Sequence, residues 1–227
     1  VYKRQSISNK LKVLAKHAKV SLYSVLLGAY CLMLATYTGQ QDIVVGTPSA
    51  NRELPEFEGV IGFFANLLVL RVEVDGEATL LKYLQSIGEM VAQAQVHQDF
   101  PFEQLVKSLQ VEKDPSRHPI VQVVFSLVND DALGWGEGGS IKTYRPDNGG
   151  RTMAKFDLSA TITEVPTGLI GNFTYAESLF NSASVSYWVL SFQYVLEEFA
   201  RLYPVAETAR ISDAVSYTHL RAHETSE

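Results

Sequence analysis

The segment from Leu22 to Thr38 constrains the fold of this chain more than any other part of the sequence. Its apolar residues run almost all the way round a helix, and it contains no Asp, Glu, Lys or Arg. Ser21 before it suits an N-cap, and Gly39 after it suits a C-terminal stop. A helix that is apolar on nearly every side is buried between layers of structure. The sequence therefore predicts a layered fold with this helix inside it.

Apolar periodicity predicts further helices and strands on both sides of this helix. Helical spacing indicates helices over Leu11–Ala18, Leu80–Gln98, Phe102–Leu109 and Val185–Leu202. Buried strands are expected over Asp42–Pro48, Phe63–Val74, Ile120–Val128, Phe156–Thr163 and Leu169–Tyr175, the second of them central and the last two a hairpin. The glycine-rich segment Asp130–Gly150 is expected to be mobile, with a short strand near Ile141–Tyr144. This order favours a mixed α/β lobe over a doubly wound sheet.

Composition narrows the classes of function. The 227 residues carry a formal net charge of −6 without a polybasic run, so neither nucleic acid nor an anionic membrane is expected as a partner. Cys31 is the only cysteine, which excludes an internal disulfide and fits a cytoplasmic location. A single cysteine and scattered histidines lack the spacing of metal ligands, so no metal site is expected. The longest apolar stretch, Val25–Leu34, is too short to span a bilayer.

Three short motifs follow one another through the middle of the chain. They are IGFFANLLVLR at 61–71, HQDFPFE at 97–103 and KDPSRHPI at 113–120. No nucleotide-binding glycine loop and no nucleophile elbow accompanies them.

In this order the motifs resemble the last three core motifs of the condensation domains of nonribosomal peptide synthetases. The match has departures: Ala65 and Leu67 stand where the family pattern has Val and Thr, and Lys113 and His118 stand where it has Arg and Asn. The paired-histidine motif of the family, HHxxxDG, is absent from the sequence, so we expect no catalytic residue in this chain.

The resemblance implies a fold and a domain organisation. Condensation domains consist of two lobes, each similar to chloramphenicol acetyltransferase, that meet along a cleft. We therefore expect residues 6–205 to form the C-terminal lobe, a mixed β-sheet packed against α-helices, and residues 206–214 to begin a linker. Residues 1–5 and 215–227 resemble translations of a sequencing-library adapter, and we expect both ends to be non-native.

The resemblance also implies a reaction and its partners. Condensation domains join two aminoacyl or peptidyl thioesters through an amide bond, and both substrates arrive on phosphopantetheine arms of carrier proteins. No cofactor is expected in the domain itself. The second His of HHxxxDG is thought to position or deprotonate the attacking amine, so this chain alone is expected to be inactive. Its expected partners are an N-terminal lobe, upstream and downstream peptidyl carrier proteins and an adjacent adenylation domain.

Other functions remain open at this stage. Epimerisation, heterocyclisation and ester-forming enzymes reuse the same lobes. A degenerate domain that only recruits a partner is a hypothesis of another class, and a stand-alone acyltransferase that uses coenzyme A is a further one.

The first two motifs supply candidate site residues, each with a structural and a functional interpretation. Asn66 lies in an apolar strand, where its amide either bonds a neighbouring loop or lines the substrate cleft. Arg71 ends the same motif. His97, Gln98 and Asp99 either support the fold, with Asp99 accepting backbone N–H groups at the start of the next helix, or contact substrate.

The third motif and a later segment supply the other candidates. Asp114, Ser116 and Arg117 are typical of a capped turn tied by an Asp–Arg pair, although Arg117 could instead steer the phosphate of a carrier arm. Asp157, in a stretch common in this family, either faces the cleft or caps a loop.

Overall fold

The computed structural model describes residues 2–52, 55–57, 59–111, 114, 116–129 and 153–215. Lys113, the segment 130–152 that holds the strand predicted near Ile141–Tyr144, and the tail 216–227 lie outside the described residues. The described part contains five α-helices, five strands and three short 3₁₀ helices. The α-helices are α1 (Tyr2–Ala18), α2 (Leu22–Thr38), α3 (Leu80–Val96), α4 (Phe102–Ser108) and α5 (Ser182–Leu202). The strands are β1 (Asp42–Ser49), β2 (Asn66–Glu73), β3 (Val123–Asn129), β4 (Leu158–Val165) and β5 (Gly168–Tyr175). The predicted elements therefore form in the predicted order.

The five strands form one mixed sheet in the order β2-β1-β3-β4-β5. The inner pairs β1–β3 and β3–β4 are parallel, whereas the outer pairs β1–β2 and β4–β5 are antiparallel. The mixed α/β lobe similar to chloramphenicol acetyltransferase is thereby confirmed, as is the hairpin of β4 and β5. The central position predicted for the strand at Phe63–Val74 is wrong, because β2 begins only at Asn66 and lies at the edge of the sheet.

Helix α2 occupies the interior, as its composition predicts. The side chain of Ser21 accepts a hydrogen bond from the Ser24 N–H, and Gly39 ends the helix in the left-handed conformation at φ 68°. The helix packs on β1 and β3 and also contacts α1, α3 and α5. Tyr30 stacks on Phe125 of β3 with ring centroids 5.3 Å apart, so that an aromatic contact joins helix and sheet.

Two glycines allow close approaches that hold the layers together. A Cβ on Gly88 of α3 would lie 2.4 Å from Val20 Cγ1, in the turn between α1 and α2. A Cβ on Gly46 of β1 would lie 2.7 Å from Val121 Cγ1, just before β3. Side chains at these two positions would separate α3 from the α1–α2 turn and β1 from β3.

The residue before Val121 has an unusual backbone conformation. Ile120 has a φ of 64°, and the Val121 N–H donates to the Pro119 carbonyl at 2.7 Å. A hydrogen bond across one residue of positive φ defines the rare γ-turn, which is strained for a β-branched residue. This turn connects the third motif directly to the central strand.

The segment predicted to begin a linker is instead part of the packed lobe. Ala206, Ala209, Ile211 and Ala214 are all buried, and Thr79 pairs with Arg210 in an isolated β-bridge. The apolar residues of this segment are too few and too widely spaced for apolar periodicity to predict a packed element here.

Candidate functional site

Asn66 connects the first motif to the second through its side-chain amide. Its Nδ2 group donates to the Gln98 and Phe100 carbonyls at 2.7 and 2.8 Å. Its Oδ1 atom accepts the N–H groups of Leu67 and Phe102 at 3.0 and 3.1 Å. Both ends of the amide are thus fully used, which favours the structural interpretation of this residue: it fixes the α3–α4 loop to the start of β2.

The second motif forms that loop, and its residues have separate roles. His97 is the C-cap of α3, and Pro101 is the N-cap residue of α4, where it provides no side-chain cap. The structural interpretation of Asp99 makes it accept backbone N–H groups at the start of α4, but the Phe102 N–H there donates to Asn66. Asp99 is exposed, so the predicted capping role belongs to Asn66.

A pocket opens beside this loop, at the carboxyl ends of the parallel strands β1 and β3. Its volume is about 310 Å³, and it lies between the sheet, the first turn of α2 and the last turns of α3. Ser49 donates to Gln98 Oε1 in its wall, so the motif residue Gln98 shapes the pocket. All the residues that line it are uncharged: Tyr23, Thr47, Pro48, Ser49, Leu68, Leu70, Val91, Gln95, Gln98, Ser126, Leu127 and Val128.

Tyr23 lines this pocket, which we name the Tyr23 pocket, and its hydroxyl is buried away from solvent. Among the described residues the hydroxyl has no partner at hydrogen-bond distance and angle. Burial raises the pKa of Tyr23, and the neighbouring Thr47 side chain only partly opposes this rise. The Thr47 side chain therefore lies close to the Tyr23 hydroxyl, but the distance and angle between them are not those of a hydrogen bond. The phenol stays protonated at neutral pH and is able to donate a hydrogen bond.

The third motif forms a closed turn at a different place. Asp114 accepts the Ser116 N–H at 2.9 Å and the Ser116 hydroxyl at 2.6 Å, and its other oxygen accepts Arg117 Nε at 2.9 Å. These bonds, first of all those from Ser116, hold the pKa of Asp114 below its usual value. The capped turn with an Asp–Arg pair is thus present as predicted.

His118 and Asp157 join this turn to the start of β4. The His118 Nε2 atom bonds the Lys155 carbonyl, and its ring lies 4.7 Å from the ring of Phe156. Asp157 is half-buried and pairs through its backbone, its N–H donating to the Gln122 carbonyl at 3.0 Å. These contacts place Asp157 beside the third motif.

The candidate residues therefore form two groups at opposite ends of the sheet. Asn66 and the His97–Asp99 loop lie at the carboxyl end of β3, whereas the Asp114 turn and Asp157 precede the amino ends of β3 and β4. Seven residues of β3 separate them, which corresponds to about 20 Å of extended chain. Arg71 lies at neither place: it forms a bidentate pair with Asp42 across β1 and β2, at 2.8–3.1 Å.

Among the described residues, no group of three or more His, Cys, Asp or Glu side chains could hold a metal ion. No single helix in the described ranges is long and apolar enough to cross a membrane. One pair, Ile7–Ala18 with Leu22–Thr38, meets the length and composition requirements together, but it is bent by 103°.

Comparison with known families bears directly on these motifs. The model of the condensation domain family matches residues 3–211, which is most of the chain. This chain belongs to the condensation domain family.

Its relatives are nonribosomal peptide synthetases. This chain is 60% identical over 190 residues to N-(5-amino-5-carboxypentanoyl)-L-cysteinyl-D-valine synthase of Amycolatopsis lactamdurans. It is 36% identical over 194 residues to surfactin synthase subunit 1 of Bacillus subtilis. These matches cover 84% and 86% of this chain but only 5% of each relative, so the chain spans about one-twentieth of their length.

Solved structures share the fold of this chain. The X-domain from teicoplanin biosynthesis matches with a TM-score of 0.78 at 23% identity, over 92% of this chain and 47% of that one. A four-domain nonribosomal peptide synthetase bound to AMP and glycine matches with a TM-score of 0.77 at 21% identity, over 92% of this chain and 17% of that one.

Sequence reasoning did not identify the Tyr23 pocket. Tyr23 resembles any other residue of the apolar helix α2, and the pattern at Thr47–Ser49 indicates only the end of a strand. One signal was available, because hydroxyl side chains at the carboxyl end of a parallel strand lie where ligands of open α/β sheets bind.

Proposed function

We propose that this chain is the C-terminal half of a condensation domain that forms an amide bond between two carrier-bound aminoacyl or peptidyl thioesters. The observation that supports this most is the Asn66 connection, which holds two family motifs together beside a pocket. The relative that is 60% identical is named as a synthase of a cysteinyl-valine peptide, which agrees with amide formation.

The chemistry of the reaction requires a group that this chain lacks. Attack of an amine on a thioester needs a base or a positioning group for the amine and stabilisation of the tetrahedral intermediate. HHxxxDG, which supplies this group in the family, is absent from the sequence. Within the proposal, this half contributes one wall of the cleft, and the other half contributes the histidine.

The loop before β2 supports a partner of this kind. Ile61 and Phe63 in the first motif have exposed fractions of 101% and 95%, so their apolar side chains contact almost nothing in this chain. Exposed apolar side chains next to a family motif suit burial against another part of the domain. The carrier proteins and the adenylation domain remain partners by the same proposal.

The test uses the complete domain, with an HHxxxDG half preceding this chain, and two carrier proteins loaded with aminoacyl groups. Mass spectrometry of the downstream carrier is expected to show a dipeptidyl thioester. Neither the 227-residue chain alone nor a complete domain whose second histidine is replaced by alanine should form it. A product lacking a further water, an ester or only an epimerised residue would contradict amide condensation in favour of the related reactions.

A non-catalytic recruitment domain is the other outcome that this assay distinguishes. The X-domain from teicoplanin biosynthesis shares the fold and has been solved in complex with OxyB. If a complete domain with an intact HHxxxDG binds both loaded carriers but forms no product, the catalytic proposal is wrong.

A further inference from the structure

Strand β2 ends the sheet, so one of its edges has no neighbouring strand among the described residues. The Val74 N–H donates to the Gln41 carbonyl at 2.7 Å, and these two residues lie opposite each other in the register that β1 and β2 follow. Hydrogen-bonded and non-bonded pairs alternate along an antiparallel ladder. The backbone N–H and C=O groups of Val69, Arg71 and Glu73 therefore point away from β1, towards the free edge.

This free edge is open to a further strand. Within the described part of the chain, the outward backbone groups of Val69, Arg71 and Glu73 have no hydrogen-bond partner. Leu67 differs from them, because its outward N–H already donates to the Asn66 side chain at 3.0 Å. The open part, from Val69 to Glu73, is about 17 Å long, which suits one added strand of ordinary length. An unpaired edge is a template for another strand, and proteins commonly cover such edges.

A groove lies beside this edge, between β2 and α3, and we name it the β2 edge groove. Its volume is about 410 Å³. The buried side chains of Tyr83 and Ile87 and the half-buried Met90 line its inner side, and the exposed Glu73 and Lys82 line its mouth. A strand that paired with the edge would turn every second side chain towards α3. The groove therefore suits an extended segment with apolar residues at alternate positions.

The last described residues of the chain lie at one end of this groove. The Ser212 N–H donates to the Gly76 carbonyl at 3.2 Å, and the Ile211 N–H donates to the Ala78 carbonyl at 3.0 Å. Ala78 itself lines the groove. Val215 follows Ser212 by three residues, so it lies within about 11 Å of it. A segment that followed Val215 in a longer protein would therefore begin next to the groove.

The direction and the length of such a segment also fit. It would enter at the Glu73 end of β2, because Gly76 follows that end, and it would run towards Val69, antiparallel to β2. About 15 residues, or about 50 Å of extended chain, are enough to reach Glu73 from Val215 and to pass along the edge. This chain spans only 5% of the relative to which it is 60% identical, so a complete synthetase of that kind has ample further chain.

We infer that the β2 edge groove is the docking site of the segment that follows this lobe in the complete synthetase, and that this segment adds to β2 as an antiparallel strand. The inference rests on the proposed function only in that the chain is part of a longer synthetase, and it does not depend on the reaction. The docked strand would fix the point from which the neighbouring adenylation domain starts.

Hydrogen exchange measures this docking without substrate. Two proteins are compared by mass spectrometry at single-residue resolution: the complete domain with about 30 residues of its natural continuation, and the same domain ending after Ala214. The Arg71 and Glu73 amides are expected to exchange about tenfold more slowly in the longer protein, because the added strand would accept their hydrogen bonds. The Leu70 amide, which points to β1, should be equally protected in both proteins.

The other free edge of the sheet supplies an internal control. The Ala176 N–H donates to the Asp157 carbonyl at 3.0 Å, so the same alternation makes the amides of Gly171 and Phe173 point outwards from β5. Strand β5 lies at the opposite edge of the sheet from β2. The Gly171 and Phe173 amides should therefore exchange at the same rate in the longer and the shorter protein.

Two results would overturn the inference. Equal exchange of the Arg71 and Glu73 amides in the two proteins, whether fast or slow, would mean that the following segment does not cover the edge. Protection that rises with protein concentration would assign the edge to a second copy of the chain.

Proline variants of the longer protein test the backbone pairing without a truncation. Val69→Pro removes one outward donor and none of the hydrogen bonds to β1, so it should return the Arg71 and Glu73 amides towards their rates in the shorter protein. Gly171→Pro makes the same change on β5 and should leave them slow. Slow exchange in both variants would contradict pairing through the β2 backbone. Loss of protection at Leu70 in Val69→Pro would mean that β2 itself is disturbed, and the comparison of the two lengths then decides.

Failure of the groove and failure of the proposed function give different results. A protected edge in a complete domain that forms no amide bond would refute only the catalytic proposal. Amide formation by a domain whose Arg71 and Glu73 amides exchange equally at both lengths would refute only the docking of the following segment.

Discussion

At the scale of the residue, Asn66 makes the most testable structural contribution. Replacing it by Ala removes four hydrogen bonds, among them those to the Phe102 N–H and the Phe100 carbonyl. We expect Asn66→Ala to lower the free energy of unfolding by about 1–3 kcal/mol. Asn66→Asp, which retains the acceptor and loses both donors, should also destabilise, because it places a carboxylate against two carbonyls. Urea denaturation followed by circular dichroism measures both changes.

Asn172 provides the control for this prediction. It is an exposed Asn in β5, so Asn172→Ala should change the stability by less than about 0.5 kcal/mol. If Asn66→Ala were as mild as this control, the connection between the two motifs would contribute little, and its amide would be free for a role in binding.

The same residues show what could be predicted of the site. The capped Asp114 turn follows from a short-range pattern, because its donors lie within three residues of the carboxylate. Three of the four partners of Asn66 lie more than 30 residues further along the chain, and nothing in the local sequence distinguishes Asn66 from Asp99 as the group that caps α4. Long-range polar pairing therefore needed the structure.

At the scale of the element, the contact between α3 and the α1–α2 turn depends on Gly88. An Ala at this position is the better helix former by about 1 kcal/mol, but its Cβ would lie 2.4 Å from Val20 Cγ1. Overpacking in a filled contact typically destabilises by about 1–3 kcal/mol, so we expect Gly88→Ala to lower the unfolding free energy by about 1 kcal/mol. Thermal and urea unfolding of the chain test this.

A double mutant separates crowding from other causes. In a Val20→Ala background the colliding methyl is gone, so Gly88→Ala should become neutral or stabilising. An additive loss in the double mutant would mean that Gly88 is required for its backbone and not for the space it leaves.

Elements whose apolar residues recur at a regular spacing were predictable from the sequence. The order of the strands in the sheet was not. Helix α3 and helix α5 show one apolar stripe each, which fixes their type. Strand β2 is apolar at Leu67 and Val69 as well as at its buried positions, and this near-continuous run indicated a central strand. In the structure, Leu67 and Val69 are only half-buried, and burial alternates along β2 as expected for a strand with only one face on the core.

At the scale of the whole molecule, the sheet divides the motifs into two sites. The chain brings the first and second motifs together through β1, β2 and the α3–α4 loop, and it places the third motif at the other end of β3. The order of the motifs along the sequence does not show at which end of the sheet each one lies. Each crossover between parallel strands brings the chain back to the end of the sheet where the previous strand began. A ligand that contacted both sites would have to extend along β3 for about 20 Å.

The exposed apolar loop of the first motif leads to a prediction about association of the chain in solution. Because Ile61 and Phe63 are almost fully exposed, we expect the chain to self-associate as its concentration rises. Replacing both by Ser should shift it towards the monomer in sedimentation velocity without lowering its unfolding free energy, since neither side chain is packed. Leu190→Ser, at a half-exposed position of α5, serves as the control and should leave the association unchanged. Equal association of all three proteins would show that a different surface of the lobe is responsible.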